Sequence, residues 1–193
     1  IDYDKNQQLS RVLWVVENID AEKKKSNRLQ YLSETDLMTG IRNRGSGERK
    51  IKELLEVNHT GLFCLLDADK FKSINDDFGH GVGDKVLIAM ANCLKKAFHD
   101  ADVVMRLGGD EFATFMKDIT EIDQAVKLIE DFFENINAID IPELGNRKIS
   151  VSLGAAIKKQ TDDWNFEELY KNADTCTYKS KKTEGNSYTF FEK

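Results

Sequence analysis

The chain holds a single proline in 193 residues, no internal repeat and no low-complexity segment, so neither a proline-rich linker nor a repeat array is present. Its three cysteines, Cys64, Cys93 and Cys176, are widely separated and form no C-x-x-C pair. Set among apolar residues, they read as buried thiols of a reducing cytosol, not as a disulfide framework or a zinc site. Only three histidines occur, with no pair at metal-ligand spacing, and His59 and His99 read as surface residues. Positive charge is not in excess either. With 32% charged residues and a net charge of -6, the chain lacks a broad electropositive face for a nucleic-acid polymer. Any nucleotide it takes is expected to be small and metal-chelated. No apolar run approaches the roughly 18 to 20 residues that cross a bilayer, and the start has no signal-peptide pattern, so the expected location is the cytoplasm. The first residue is Ile1, not methionine, and the expectation is a piece of a longer protein with a sensor domain or membrane tether upstream.

What is present divides into two parts. Residues 1 to about 34 are polar, with Leu9, Val12, Val16 and Ile19 at a/d spacing, which predicts a helix able to pair with its copy. The same heptad continues through Lys23, Ser26, Gln30 and Ser33, so a solvated linker helix is an equal reading. From Asp36 the periodicity alternates between helix and strand. The pattern predicts a helix over 47–57, a continuous apolar strand over 61–67, and a helix carrying Leu87, Met90, Ala91, Leu94 and Phe98. A hairpin follows. Ile122, Val126, Ile129, Phe133 and Ile136 then mark a helix, and Ile149 to Ile157 alternate as a half-buried strand. A last long helix carries Phe166, Leu169, Ala173 and Cys176, and 188–191 form a closing strand. The order β-α-β-β-α-β predicts an α+β, ferredoxin-like (split βαβ, palm-type) antiparallel sheet with flanking helices on one face, preceded by the N-terminal helix.

The most telling stretch is Arg106-Leu107-Gly108-Gly109-Asp110-Glu111-Phe112. Apolar runs on both sides make Gly108 to Glu111 a hairpin turn. Two glycines permit positive φ and close approach of a ligand, and two carboxylates set hard oxygen ligands beside the gap. By itself such a motif is usually only a turn. A second acidic element, Asp67-Ala68-Asp69, ends the apolar strand upstream, and the topology lets Asp67 and Asp110 converge. With the Ala68 carbonyl and triphosphate oxygens they would complete octahedral Mg²⁺ sites, and a metal pair of this kind serves in-line displacement at phosphorus. Between these anchors, Lys72 can offer charge to phosphates. Asn75 and Asp84 offer the acceptor pattern of a guanine edge. Asp84 alone is better read as an N-cap, because Gly83-Asp84 precedes the predicted second helix.

Four segments, 36–44, 67–76, 79–84 and 106–112, resemble the GGDEF family of diguanylate cyclases in order and spacing, and the likeness covers about residues 36–192. The resemblance implies residues 1–35 as a linker or signalling helix, with a possible coiled coil, and 36–193 as the catalytic domain. It implies condensation of two GTP into cyclic di-GMP and two pyrophosphates across a homodimer, with Mg²⁺ or Mn²⁺. By matched position, Asp67, Ala68 and Asp110 resemble the metal ligands. Glu111 matches the residue near the attacking 3'-hydroxyl, as metal partner or proton acceptor. Asn75 and Asp84 match the guanine readers, Lys72 and Lys181 phosphate contacts, and Phe71 a packing residue under the triphosphate loop. For His80 and Arg106, structural support and phosphate or interface contact stay equally open.

Two departures from the family pattern stand out. Where the family carries Lys-x-x-Gly-Arg-Asn, this chain has Lys181-Lys182-Thr183-Glu184-Gly185-Asn186, so Glu184 replaces a glycine and Gly185 a phosphate-binding arginine. Losing that cation is worth about 1.5 to 3 kcal/mol in charged hydrogen bonds, which makes a catalytically weak GTP-binding regulatory module the alternative reading. In the product-inhibition motif, Arg-x-x-Asp becomes His99-Asp100-Ala101-Asp102. A neutral imidazole cannot clamp phosphate as arginine does.

Overall fold

The computed structural model describes residues 2–3, 9–11, 19–98 and 103–192. They fall into two units, Ile1–Ser33 and Glu34–Lys193. In the first, strand β1 (Asp2–Tyr3) pairs antiparallel with β2 (Leu9–Arg11), and helix α1 spans Ile19–Glu34. This corrects the expected helix over the whole of 1–34. The first turn of α1 carries Asp20 and Glu22, carboxylates that favour a helix N-terminus. Leu9 sits in a strand, and Val12 and Val16 of the proposed seam lie outside the described residues. Lys23, Ser26, Gln30 and Ser33, which continue the heptad, are exposed.

The second unit runs β3 (Arg42–Asn43), α2 (Arg44–Glu56), β4 (Gly61–Ala68), α3 (Phe71–Phe78), α4 (His80–Ala97), β5 (Val103–Gly108), β6 (Glu111–Lys117), α5 (Ile122–Asn137), β7 (Val151–Lys158), α6 (Phe166–Ser180) and β8 (Ser187–Phe190), with a 3-10 turn at Pro142–Leu144. The strands stand in the order β3-β5-β6-β4-β7-β8. The inner order β5-β6-β4-β7 is the expected split βαβ sheet, with β4 antiparallel to both neighbours. At the edges β3 pairs with β5, and β8 with β7, in parallel, so the whole sheet is mixed. The family-type α+β palm is therefore present with two added edges.

Helices cover both faces, not one. On one face Leu62, Cys64, Leu66, Phe112 and Leu153 meet Met90 of α4 and Ile129 of α5. On the other, Phe63, Leu65 and Phe115 meet Ile51 of α2 and Leu169 and Ala173 of α6. A sheet covered twice has no solvent face, which is why β4 is apolar and buried from Leu62 to Leu66, ahead of Asp67 at its end. It also corrects the half-buried reading of β7. Its second face is buried too, and the small residues Ser152, Gly154 and Ala156 admit α6 there. A Cβ on Gly154 would lie 2.0 Å from the Ala173 carbonyl oxygen.

Local signals account for the helix starts. Asn43 accepts from Ser46 N (3.0 Å), so α2 begins three residues earlier than its apolar pattern predicts. Asn165 and Glu168 form a reciprocal capping box at the start of α6. Cys64 and Cys176 are buried free thiols and Cys93 is half-buried. Burial pushes the Cys64 thiol up to about 12, which leaves it unreactive.

Candidate active site

The acidic turn folds against the end of β4. Asp67 and Glu111 are directly paired across the β4/β6 ladder, and Ala68 N donates to the Asp110 carbonyl (3.3 Å). Gly109 has φ +54, a left-handed conformation that a two-residue hairpin loop needs, and Gly108 has φ +148. Arg106 braces this turn from behind. Its Nε and Nη2 donate to the Gly109 carbonyl (3.1 and 2.7 Å), and its Nη1 reaches Asp36 Oδ1 (3.3 Å). Asp36 in turn accepts from the Thr39 backbone (2.9 Å) and hydroxyl (2.6 Å). Burial alone would raise the Asp36 carboxyl, but the Thr39 hydrogen bonds and the Arg106 charge outweigh it and hold it low. With its side chain 11% exposed, Arg106 acts as a brace of the turn.

At Asp67 several charges meet. Lys181, just past the end of α6, places Nζ 2.8 Å from Asp67 Oδ2. Even so the Asp67 carboxyl is pushed up, because burial and the nearby Asp110 and Asp69 outweigh the lysine. Glu111 is pushed up by burial and then by Asp67 and Asp110. Burial disfavours the Lys181 ammonium, yet Asp67, Asp110 and Glu111 win and hold its pKa high. Asp69 adds to that crowding by its charge, but its own oxygens are already engaged. It accepts from Ser150 Oγ and Ser152 Oγ, both at 2.7 Å, which ties the end of β4 to β7. Beside these groups opens a cleft of about 440 Å³, lined by Asp67, Lys70, Lys148, Lys181, Glu184 and Gly185 among others.

The expected metal set of Asp67, Ala68, Asp110 and Glu111 is thus gathered at one end of the sheet. Among the described residues no three acidic, histidine or cysteine side chains stand close enough to hold an ion as folded here. The donor chemistry nevertheless fits a divalent cation. Hard carboxylates crowd until burial and mutual repulsion raise Asp67 and Glu111, and the Lys181 ammonium provides positive charge there.

Helix α3, for which the sequence pattern predicts no element, begins directly after Asp69-Lys70. Lys70 is left-handed (φ 55) and no side chain caps the helix, so its first backbone N–H groups remain donors at the cleft edge. Phe71 packs half-buried against the core beneath this turn, while Lys72 is exposed. Asn75 and Asp84 form a separate neighbourhood. A Cβ on Gly83 would lie 2.0 Å from Asn75 Oδ1, so only glycine lets α4 approach the Asn75 amide, and Asp84 follows it exposed. The capping role considered for Asp84 does not hold. Helix α4 starts at His80, after Gly79 with φ 84, and Asp84 lies within it.

In the departing segment, Glu184 pairs with Lys70 (3.7 Å) and Gly185 has φ +80. Asn186 accepts from Val151 N (2.9 Å) and donates to Asn137 (3.0 Å), a structural tie. His99 to Asp102 lie outside the described residues.

A palm-type sheet whose Gly-Gly turn brings carboxylates to a cation-lined cleft defines a class of nucleotide-handling domain. The profile described as "Diguanylate cyclase, GGDEF domain" matches residues 33–187, and the chain belongs to that family. It is 34% identical over 164 residues to the probable diguanylate cyclase DgcC of Escherichia coli, covering 82% of this chain and 43% of that protein. It is 31% identical to the E. coli diguanylate cyclase DgcM over 175 residues, covering 88% and 41%. The chain therefore spans less than half the length of these relatives. Among solved structures, the GGDEF domain of TpbB (YfiN) from Pseudomonas aeruginosa matches with TM-score 0.73 at 27% identity, covering 82% of this chain and 94% of that one. The coiled coil and GGDEF domain of DgcB from Caulobacter crescentus, solved with c-di-GMP, shares the fold with TM-score 0.79 at 22% identity, covering 89% and 93%. Diguanylate cyclases of this family generally need a divalent metal. Among the described residues no helix is long and apolar enough to cross a membrane.

Proposed function

We propose that this chain is the diguanylate cyclase part of a longer protein, joining two GTP molecules into cyclic di-GMP with release of two pyrophosphates. The observation that carries this reading is the pairing of Asp67 with Glu111, locked by the Ala68–Asp110 backbone bond, within a chain of this family. Each protomer of a homodimer would hold one GTP. The 3'-hydroxyl of one then attacks the α-phosphorus of the other, a P–O bond forms, the bond to the β-phosphate bridge breaks, and pyrophosphate leaves.

The residues divide the work. Asp67, Asp110, Glu111 and the Ala68 carbonyl would hold Mg²⁺ or Mn²⁺. Such ions, when bound, neutralise triphosphate charge and acidify the hydroxyl. Glu111, with its raised pKa, is suited to accept the proton of the attacking hydroxyl. Lys72, Lys181 and the open N–H groups at the start of α3 take phosphate oxygens, over a floor made by Phe71. Asn75 and Asp84 read guanine, the carboxylate accepting from N1-H and the exocyclic amine, which adenine does not offer in that form. Chemistry is then mainly orientation and electrostatics, so a lone protomer holds only half a reaction. An upstream segment would act through the relative placement of two such domains.

Glu184 and Gly185 favour a second reading, a GTP-binding regulatory module without turnover. Incubation with GTP and Mg²⁺ over a range of protein concentrations, followed by nucleotide chromatography, separates the two. Cyclic product whose specific rate rises with protein concentration is expected. Bound GTP with no product at any concentration would favour the module, and no bound nucleotide would remove both.

A further inference from the structure

The position where the family places a phosphate-binding arginine carries Gly185, and its backbone there is left-handed (φ +80), a conformation that side-chain-bearing residues rarely adopt. A cation cannot simply be restored at that point of the chain. Glu184 also adds a negative charge to the same wall. If the cleft takes a triphosphate, the missing charge has to come from another element.

Most cations around the cleft already have an acidic partner, Lys181 among them although it is also one of the phosphate contacts proposed above. Lys181 bonds Asp67 at 2.8 Å, Lys70 pairs with Glu184 at 3.7 Å, and Arg147 bonds Asp77 at 2.6 Å with its guanidinium over the Phe78 ring. Lys148 differs. It lines the cleft, is exposed, and has no hydrogen-bonding or ion-pair partner among the described residues. Its direction follows from the strand it precedes. Ile149, Val151 and Leu153 point into the core beneath α4 and α5. By the alternation of extended chain, Lys148, Ser150 and Ser152 take the other side, and the two serines are seen there holding Asp69. That side is the one α6 covers, so Lys148 faces the segment running from Lys181 to Gly185. Buried Ile149 and the bond from Asp69 N to the Ser150 carbonyl (2.9 Å) fix the backbone that carries it.

We propose that Lys148 is the triphosphate ligand that stands in for the absent arginine, contacting the β- or γ-phosphate from the β7 side of the cleft. The inference rests on the GTP-site reading above. A lysine there is a point charge without arginine's bidentate fork, so it supplies attraction with less geometric selectivity.

The test is calorimetry of the whole chain with Mg²⁺ and a GTP analogue whose α,β-bridging oxygen is replaced by methylene, with GMP measured in parallel. K148A should weaken the analogue about tenfold and leave GMP unchanged, because GMP has no β- or γ-phosphate, and K148R should keep most of the affinity. Analogue binding by K148A within twofold of the unaltered chain would overturn the proposal while leaving the GTP site standing. Equal weakening of analogue and GMP would overturn it as well, since the effect would then be structural. Failure of the unaltered chain to bind the analogue at all would overturn the GTP-site reading, and this inference with it.

Discussion

Two hollows of nearly equal size lie at opposite ends of β7, about 440 Å³ beside Asp67 and about 430 Å³ beside Trp164 and Phe191. Their chemistry is opposite. At the second end polar groups are matched: buried Lys158 donates to Asn58 (2.9 Å), Asp162 accepts from Lys159 N (2.8 Å), and Trp164 meets Phe191 edge-on with ring centroids 5.7 Å apart. At the first end carboxylates crowd one another until Asp67 and Glu111 titrate high. One end of the sheet is arranged for stability. The other keeps crowded carboxylates that Lys181 offsets only in part and that a divalent cation would neutralise.

The sharpest way to separate the ends is to remove one carboxylate. Asp110→Ala keeps the backbone bond to Ala68, so the turn should survive while turnover falls by about a thousandfold or more, as loss of charge stabilisation at a reacting centre does. Cyclic di-GMP production and the melting temperature, measured together, check this. Full activity would remove Asp110 from the metal site.

The converse substitution belongs at the other end. Trp164→Ala strips a half-buried aromatic from the Phe191 contact and should cost about 2 kcal/mol, a drop of about 4 to 8 °C for a chain of this size. Turnover per folded molecule should not change. A fall in activity without a fall in melting temperature would mean that the ends are coupled.

Base selection gives a smaller effect. Asp84→Ser should reduce the preference for GTP over ATP by about tenfold, measured as the ratio of dissociation constants. Because Asp84 lies within α4 and caps nothing, its loss should leave the melting temperature in place. An unchanged GTP-to-ATP ratio would withdraw Asp84 from base reading.

How legible each end was depends on how local its signal is. The Gly-Gly-Asp-Glu turn and the strand ending in Asp67 could be read because two short patterns and one topology put them side by side. Helix α3 is harder to read: Phe71, Ile74 and Phe78 stand three and four apart, all set against the core, but a segment of eight residues with three charges gives too short a period to separate helix from loop. Cover on both faces was also missed. The unbroken apolar run of β4 already points to it, but in β7 the signal is carried only by small residues such as Ser152 and Gly154, whose burial depends on a helix arriving from elsewhere in the chain. The bracing role of Arg106 rests on Asp36, 70 residues away in sequence, which no periodicity reveals.

The smallest effect tests whether the crowding itself costs stability. Glu111 has its carboxyl raised by burial and by Asp67 and Asp110, so the folded chain holds that proton to higher pH than the unfolded chain, whose glutamate titrates near 4.5. A raised carboxyl contributes stability that is fully present below the unfolded value and is lost as pH rises through the folded one. Glu111→Gln cannot lose it. The variant should therefore melt with the unaltered chain at pH 4 and about 1 to 2 °C above it at pH 7, while turnover drops. If the two chains melt together at both pH values, or if the variant melts lower at pH 7, then the repulsion at this turn is already relieved in the metal-free protein, and the contrast between the two ends of β7 concerns function alone.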